Sequence, residues 1–445
     1  MALADPAREE SRMPRSPRLV WVKALLVVVS TTATASAQTS APEHNTPTTI
    51  TLEQALEKAR GESPALRNAQ ATLELARADQ TRARTYPHNP QLSLTGADRS
   101  GGGDSTTDRG VEIGQEIETG GQRGRRIATA EALLQSAEED FRYAELQLVN
   151  RVERAFARAV AEERRVAIAA SEQALAEHLL TFEERRLEAG AGTQLDLNLA
   201  RAAAARGRQR VEVALAQRAV ARADLAEVIG VDPARPLVPV ASERPARREL
   251  PSLEALVARA TASRPDLVAR QRSVEAARRR VELERRKARP NLRASLFSRR
   301  EEGDDILGGT IGIAIPLFDR NQGAIQAALA ESAQAEAELD RAELAVRRSV
   351  VDAHARYVAA ANAVTGLESL VVGTLEESLE LLETALEAGK VNAADVLVLR
   401  RELVEAQRLF VDAQLDLAEA RSDLRLAVGT PIPNTRANDS ASGDS

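Results

Sequence analysis

Residues able to do chemistry are few and scattered along this chain of 445 residues. The sequence has no cysteine, and its four histidines are His44, His88, His178 and His354. None of these has a second histidine or a carboxylate at a spacing typical of a metal site. No nucleophile stands beside a general base, and Gly101–Gly103 lies in a turn-rich segment instead of a phosphate-binding loop. We therefore predict no enzymatic activity, no metal site and no cofactor.

Two acidic residues, Asp196 and Asp395, stand at matching places, each six residues after a glycine. Thr193 precedes Asp196 at the spacing of a capping box, and an acid in the first turn of a helix is stabilised by the helix dipole. Capping is therefore the prediction for Asp196. His88, between Pro87 and Asn89, is predicted to be a turn residue, with contact to passing ions as the alternative.

The chain repeats itself with an offset of about 200 residues. Leu-Glu-Ala-Gly occurs at Leu187–Gly190 and again at Leu386–Gly389, and the Pro64, Pro90 and Asp196 positions all have partners in the same register. This pattern indicates a duplication of a module too long to be a solenoid unit. The predicted repeats are 51–230 and 253–430, joined by a linker at 231–252, and a disordered tail is expected at 431–445.

The N-terminus has the composition of an export signal. Arg12, Arg15, Arg18 and Lys23 precede the apolar run Ala24–Val29, and Ala35-Ser36-Ala37 offers a cleavage site. We predict a signal peptide at 1–37, followed by a polar segment at 38–50. A basic amphipathic arm is the alternative. Without cysteine the mature chain has no lipidated N-terminal residue.

Composition indicates long helices packed side by side. Aromatic residues make up only 2% of the chain, while Ala, Leu, Glu and Arg dominate. The net charge is −6, and the basic stretch Arg278–Lys287 is interleaved with Glu282 and Glu284 and has no aromatics, so no nucleic-acid partner is expected. Helices are predicted over about 51–84, 126–189, 194–229, 253–289, 324–388 and 393–428.

Each repeat also contains a pair of alternating segments, predicted as strands over about 90–99 and 108–118, and 290–300 and 306–318. Period-two alternation over about ten residues is typical of transmembrane strands. If these strands cross a membrane, the side chain of Ile313 is expected to face lipid near the midplane of the bilayer. Gly312 and Ala314 are then expected to face the lumen of the barrel. Amphipathic hairpins packed on the helices are the alternative.

Four strands cannot close a membrane barrel, and open edges are not tolerated in lipid. Three protomers would supply twelve strands. The predicted fold is thus mainly α with a small membrane β part, in two tandem repeats of long helices and a two-stranded hairpin. A trimer would form a 12-stranded β-barrel continued by an α-helical barrel.

These features together resemble the TolC-type outer-membrane efflux family. The resemblance covers about 50–430, and its marks are the two Ala-Gly-x-x-x-x-x-Asp turns and the exit Ile315–Asp319. Asn89-Pro90 and the segment Gln115–Arg123 resemble the branch that serves heavy-metal and cation efflux. The resemblance implies a passive outer-membrane duct extending into the periplasm.

The resemblance also implies partners and site residues. A homotrimer would receive substrate from a resistance-nodulation-division pump of the inner membrane through a periplasmic adaptor. Asp395 matches a position whose carboxylates ring the periplasmic entrance, although helix capping stays open for it. The expected adaptor-docking tips are Ala189, Gly190, Ala191, Ala388, Gly389 and Lys390.

Several alternatives to a metal-efflux duct stay open. The duct could serve drug efflux or type I protein secretion. A soluble periplasmic coiled-coil adaptor would have one helical hairpin instead of two tandem copies. A cytoplasmic coiled-coil scaffold would leave the signal peptide and both alternating hairpins unexplained.

Overall fold

The computed structural model describes residues 48–101, 104–235, 237–241, 250–388 and 393–429. The predicted signal peptide 1–37, the tail 431–445, and Gly389 and Lys390 lie outside these ranges. The helices are α1 Leu52–Glu62, α2 Pro64–Arg84, α3 Gln122–Glu188, α4 Gln194–Ile229, α5 Leu253–Ser263, α6 Pro265–Lys287, α7 Gln322–Glu387 and α8 Ala393–Val428. The strands are β1 Thr48–Ile50, β2 Gln91–Gly101, β3 Asp104–Ile117, β4 Leu237–Pro239, β5 Leu292–Glu301 and β6 Asp304–Ile313.

The helices predicted over 51–84 and 253–289 are each broken in two. The breaks fall at Ser63 and Arg264, whose ψ angles of 122° and 123° are extended, not helical. Each break residue precedes a proline, and the proline ring disfavours the helical conformation of the residue before it. Prediction of one continuous helix was therefore wrong in both halves, although Pro64 and Pro265 fit well as first residues of α2 and α6.

The two long helices are the main struts of the molecule. α3 has 67 residues, which at 1.5 Å per residue is about 100 Å. It begins at Gln122, about four residues before the predicted start. Gly121 adopts a left-handed conformation there, and the Gln122 side chain accepts a hydrogen bond from the backbone of Gly120. Asn321 (φ 61°) and Gln322 make the same start for α7.

Shorter helices pack along these struts. α2 and α4 both contact α3, while α6 and α8 contact α7 on one side and α3 on the other. The lateral order is therefore α2 with α4, then α3, then α6 with α8, then α7. Leu148, Val152 and Ala159 of α3 are buried in a core shared with α1 and α4. Alanine at many of these contacts lets the helix axes approach closely.

A parallel two-stranded sheet joins the N-terminal segment to the inter-repeat segment. β1 pairs with β4, with Thr48 opposite Leu237 and Ile50 opposite Pro239. Ile50 and Leu237 add to the apolar core around α1, α3 and α4. The sequence pattern did not predict this pair, because three residues are too few to show an alternation.

The other four strands form one antiparallel sheet in the order β2-β3-β5-β6. Strand β6 ends at Ile313, not at the predicted 318. Pro316 has no backbone N–H to donate to a neighbouring strand, and the Leu317 N–H instead donates to the Ile315 carbonyl in a tight turn. Ala314 therefore lies beyond the strand. The overall prediction of a mainly helical chain with a small strand part is confirmed.

Among the helices of the described residues, none is both long enough and apolar enough to cross a membrane.

Candidate functional site

The four-stranded sheet has one apolar face and one polar face. The strand register places eight large apolar side chains on one face, and all of them are exposed: Leu92, Leu94, Val111, Ile113, Leu296, Leu307, Ile311 and Ile313. The opposite face carries mostly small and polar residues, among them Ser93, Thr95, Glu112, Gly114, Ser295 and Thr310, and its large apolar side chains are Phe297 and Ile306. One face thus suits hydrocarbon and the other suits water.

The register corrects the predicted depth of Ile313. This residue is the last of β6 and lies in the row of Leu292 and Ile117, at the end of the sheet nearest the helices. Leu296, in the row of Ile113, lies in the middle of the apolar face. The midplane position therefore belongs to Leu296.

Both lateral edges of this sheet lack a partner strand within the described chain. β2 pairs only with β3, and β6 pairs only with β5. Because all three pairings are antiparallel, β2 and β6 run in opposite directions. A β6 edge of one copy could therefore pair antiparallel with the β2 edge of another.

Polar contacts tie the sheet to the helices below it. The Tyr86 hydroxyl donates to the Glu116 carbonyl and accepts from the Glu118 N–H. The Gln115 side chain donates to the carbonyl of His88. His88 lies in the irregular connection between α2 and β2, with its Nε2 3.8 Å from a carboxylate oxygen of Glu116.

The first helical tip is an exposed turn closed by glycine. Ala189, Gly190 and Ala191 are all exposed, and Gly190 has a φ of 72°. The N–H of Gly190 donates to the Leu187 carbonyl and that of Ala191 to the Arg186 carbonyl. These two bonds are those of a Schellman motif, which satisfies the last carbonyls of α3.

Thr193 and Asp196 begin the next helix. The Thr193 hydroxyl oxygen accepts a hydrogen bond from the Asp196 backbone N–H at 3.1 Å and donates to the Asp196 carboxylate at 2.7 Å. Thr193 is therefore the cap of α4, and the Asp196 carboxylate accepts from the Thr193 hydroxyl, not from the Thr193 backbone N–H that a complete capping box requires.

The second tip is described only in part. Ala388 is exposed and ends α7, with its N–H donating to the Thr384 carbonyl. Asp395 is the third residue of α8, the position that Asp196 occupies in α4. Asp395 and the described tip residues Ala189, Gly190, Ala191 and Ala388 therefore lie at helix ends far from the sheet.

A buried polar network joins the two halves of the chain. The Asn150 side chain on α3 donates to Ser422 and Asp423 on α8, and Arg154 forms ion pairs with Asp423 and Glu419 at 2.6 and 2.9 Å. Burial opposes the charge of Arg154, but its hydrogen bond with Asp423 and its ion pairs with Asp423 and Glu419 outweigh burial, so its pKa is raised. Sequence reasoning missed this network. The only trace of this network in the sequence is that basic residues occur on α3 and acidic residues on α8.

Arg264 forms a second such node at the break between α5 and α6. It is buried, and its guanidinium donates to the Asp266 carboxylate, the Ser349 hydroxyl and the Ala427 carbonyl. It also lies over the ring of Tyr143, at 5.3 Å from the ring centroid. One side chain thereby connects α3, α6, α7 and α8.

Within the described ranges, no group of three or more His, Asp or Glu side chains could hold a metal ion. The polar clusters of these residues are ion pairs and helix caps, and they position helices.

Long helical struts below a four-stranded sheet with one apolar and one polar face define a class: subunits of channels in the outer membrane. The family model described as outer membrane efflux protein matches residues 55–231 and 256–430. The chain belongs to this family.

Individual relatives agree with the family. The cobalt-zinc-cadmium resistance protein CzcC of Cupriavidus metallidurans is 28% identical over 369 residues, covering 80% of this chain and 85% of the relative. Protein CyaE of Bordetella pertussis is 29% identical over 335 residues, covering 70% of each chain. A crystal structure of a membrane protein from Pseudomonas aeruginosa superposes with a TM-score of 0.73 at 22% identity, covering 85% of this chain and 93% of that chain.

The protein is thus an efflux channel of the outer membrane that extends into the periplasm, and it is not an enzyme. The resemblance predicted from the two turns and the strand exit is confirmed.

Proposed function

We propose that three copies of this chain close into a duct that passes heavy-metal cations out of the cell. The observation that carries the assembly is the pair of unpaired edges on β2 and β6. In lipid an unpaired strand edge leaves backbone groups without hydrogen bonds, at several kcal/mol each. Three copies of four strands make a closed sheet of twelve, antiparallel throughout.

The helices support the same closure. α7 forms one lateral edge of the helical layer, where Leu344, Val351 and Val358 are exposed at seven-residue spacing. α4 lies at the other edge, where Val213 and Val220 are exposed at the same spacing. Apolar stripes with this spacing are typical of a helix seam that packs against another helix. The two stripes lie at the same lateral edges as β6 and β2.

The tips are the proposed contact with a periplasmic adaptor. Ala189, Gly190, Ala191 and Ala388 are exposed and small, so a partner helix could approach their backbone closely. Gly389 and Lys390 complete the second tip in the sequence. An inner-membrane pump of the resistance-nodulation-division type would deliver substrate through that adaptor.

Asp395 is the proposed constriction. Three copies would bring three carboxylates to the periplasmic entrance, and such a ring favours cations. Val398 stands one helical turn further on, where a second acid would strengthen the field. The choice of metal cations as substrate is supported by the similarity to CzcC, whose name states cobalt, zinc and cadmium resistance.

The assembly is tested by mass and by a matched pair of substitutions. The detergent-extracted protein is expected at three times the mass of the mature chain. Val351→Asp should reduce the trimer fraction, because it places a charge in the proposed seam. Leu409→Asp, at an exposed site without apolar neighbours seven residues away, should not. A stable wild-type monomer, or equal loss in both variants, contradicts the trimer.

The substrate is tested in a deletion strain. Loss of the gene should lower tolerance to cobalt, zinc or cadmium salts, and the wild-type gene should restore it. Sensitivity to drugs alone, or loss of a secreted protein alone, would assign the duct to drug efflux or type I secretion. Asp395→Ala should change conductance or cation preference in planar bilayers. Unchanged conductance with lower thermal stability would assign Asp395 to helix capping.

A further inference from the structure

One row of residues on the apolar face of the sheet departs from the rest. It crosses all four strands and consists of Gly96, Arg109, Arg300 and Asp305. The next row towards the helices is largely apolar, with Leu94, Val111, Ser298 and Leu307. A pair of arginines therefore stands directly at the upper limit of the apolar surface.

The two arginines are cross-strand neighbours with unequal partners. Arg109 lies directly opposite Arg300, and like charges in that position repel. Arg300 donates to both carboxylate oxygens of Asp305, at 2.8 and 2.7 Å. Arg109 is exposed and has neither an ion pair nor a side-chain hydrogen bond to any described residue. The row thus keeps one positive charge that the described protein does not balance.

The depth of this row matches the edge of a bilayer. Arg109 lies eight residues beyond Ile117, which is about 27 Å along the strand at 3.4 Å per residue and about 21 Å along the membrane normal at a strand tilt of about 40°. The apolar band of an outer-membrane protein is about 25 Å tall. The helices leave the sheet at the Ile117 end, so Arg109 lies at the far side, level with the headgroups of the outer leaflet.

A depression adjoins Arg109 on the same face. Its volume is about 510 Å³, and Leu94, Gly96, Asp98 and Thr107 line it together with Arg109, while the residues that alternate with these along the strands, Thr95, Ala97 and Gly110, border it. A Cβ added at Gly96 would meet nothing within 4 Å, so the floor is open because glycine stands there. Leu94 supplies an apolar wall below, while Asp98 stands one row further out.

We infer that Arg109, with Arg300 beside it, binds the phosphate of a lipid headgroup in the outer leaflet. A guanidinium presents paired donors that match phosphate oxygens. The acyl chain would lie along Leu94 and Val111, and the anion would relieve the repulsion between the two arginines. Asp98, about 7 Å further along the strand, would face the outer polar part of the headgroup.

The test uses the full-length protein purified in a non-ionic detergent and titrated with bisphosphorylated lipid A in native mass spectrometry. Arg109→Gln should weaken binding about tenfold, the expected loss for one charge-assisted contact. Arg299→Gln is the matched control, because it removes an arginine at nearly the same height on the opposite face. Dephosphorylated lipid A should bind as weakly to the wild type as lipid A does to Arg109→Gln.

Equal weakening in the two variants, or none in Arg109→Gln, overturns the site. Tight binding of the dephosphorylated lipid overturns the role of phosphate, and displacement by millimolar inorganic phosphate overturns the choice of a lipid. The inference rests on the proposed duct through the outward direction of the apolar face and through the β2 edge, because the depression lies on β2 and β6 of the neighbouring copy would border it. Conductance in planar bilayers distinguishes failure of the lipid site from failure of the duct. Normal conductance without phosphate-dependent lipid binding contradicts the lipid site. Absence of conductance in the wild type and in every variant contradicts the duct.

Discussion

Two glycines with the same backbone conformation should respond very differently to alanine. Gly190 at the first tip and Gly230 after α4 have φ angles of 72° and 81°, both in the left-handed region. A Cβ at Gly190 would meet nothing within 4 Å. A Cβ at Gly230 would lie 2.5 Å from the carbonyl oxygen of Glu62 and 2.7 Å from its carbon.

The difference can be worked out from these distances. Alanine in the left-handed region costs about 1 kcal/mol relative to glycine at either site. At Gly230 the obstructing atoms are backbone at the end of α1, which cannot rotate away as a side chain can. Forcing such a group apart adds about 1–3 kcal/mol, as overpacking in a core does. Gly230→Ala should therefore cost about 2–4 kcal/mol and Gly190→Ala about 1 kcal/mol.

The measurement is thermal unfolding of the detergent-purified protein, followed by circular dichroism. The midpoint temperature of unfolding should be slightly lower for Gly190→Ala than for the wild type. It should be clearly lower for Gly230→Ala than for Gly190→Ala. Ile229, next to Gly230, is fully buried in the core around α1 and α3. A backbone displacement at Gly230 should therefore also disturb the packing of that core. Equal midpoints for the two variants would refute the reasoning from the Glu62 contact.

Three further changes test other parts of the structure. Leu296→Arg should block assembly in the outer membrane, because a charge on the lipid face near the midplane costs about 2–4 kcal/mol; heat-stable trimers in membrane fractions measure this. Arg264→Ala should lower stability by about 3 kcal/mol in thermal unfolding, because Asp266 and the Ala427 carbonyl lose their buried partner. Burial opposes ionisation of Glu284, but hydrogen bonds from Lys287 and Asn321 outweigh it and lower its pKa from 4.5. Glu284→Gln should therefore destabilise at pH 7, and the difference should vanish as the pH falls through the lowered pKa.

Each of these changes has a control. Ser295→Arg lies next to Leu296 on the opposite face and should assemble, and Ile313→Arg should cost only about 0–1 kcal/mol because it lies near the interface. Equal effects at Leu296 and Ser295 would mean that the sheet does not face lipid. Arg272→Ala removes an exposed ion pair with Glu275 and should change stability by less than about 1 kcal/mol. A Glu284→Gln difference that does not shrink as the pH is lowered from 7 into the acid range would contradict its assignment to the ionised carboxylate.

Local patterns in the sequence were sufficient for the elements whose physical cause is local. The helices α4 and α8 match their predicted limits, because Thr193 and the residues after Ile229 carry cap and stop signals. The turn at Gly190 has the left-handed conformation that a glycine after a long helix indicates. The alternation in β2, β3 and β5 likewise placed these strands to within a few residues.

Features that depend on distant partners could not be predicted. β1 and β4 are too short to show a period, and they exist because segments about 190 residues apart meet beside one core. In the sequence, nothing distinguishes Arg264 from the many other basic residues. Its role becomes visible only in the fold, where Ser349 of α7 and Ala427 of α8 accept its hydrogen bonds. The pairing register between strands shows that Leu296 lies in the middle of the apolar face and Ile313 at its end. The periodicity within a single strand carries no information about this register.

The sequence by itself determined the helical struts, the two alternating hairpins and the family, because periodicity, caps and the duplicated turns are encoded within short segments. Only the tertiary structure decided which side chains share a row or a helix contact. It placed Arg109 opposite Arg300, and it joined Asn150 and Arg154 to Asp423 across the two halves. The physical reason is that pairing and packing energies depend on residues far apart in the chain, and no local pattern records their partners.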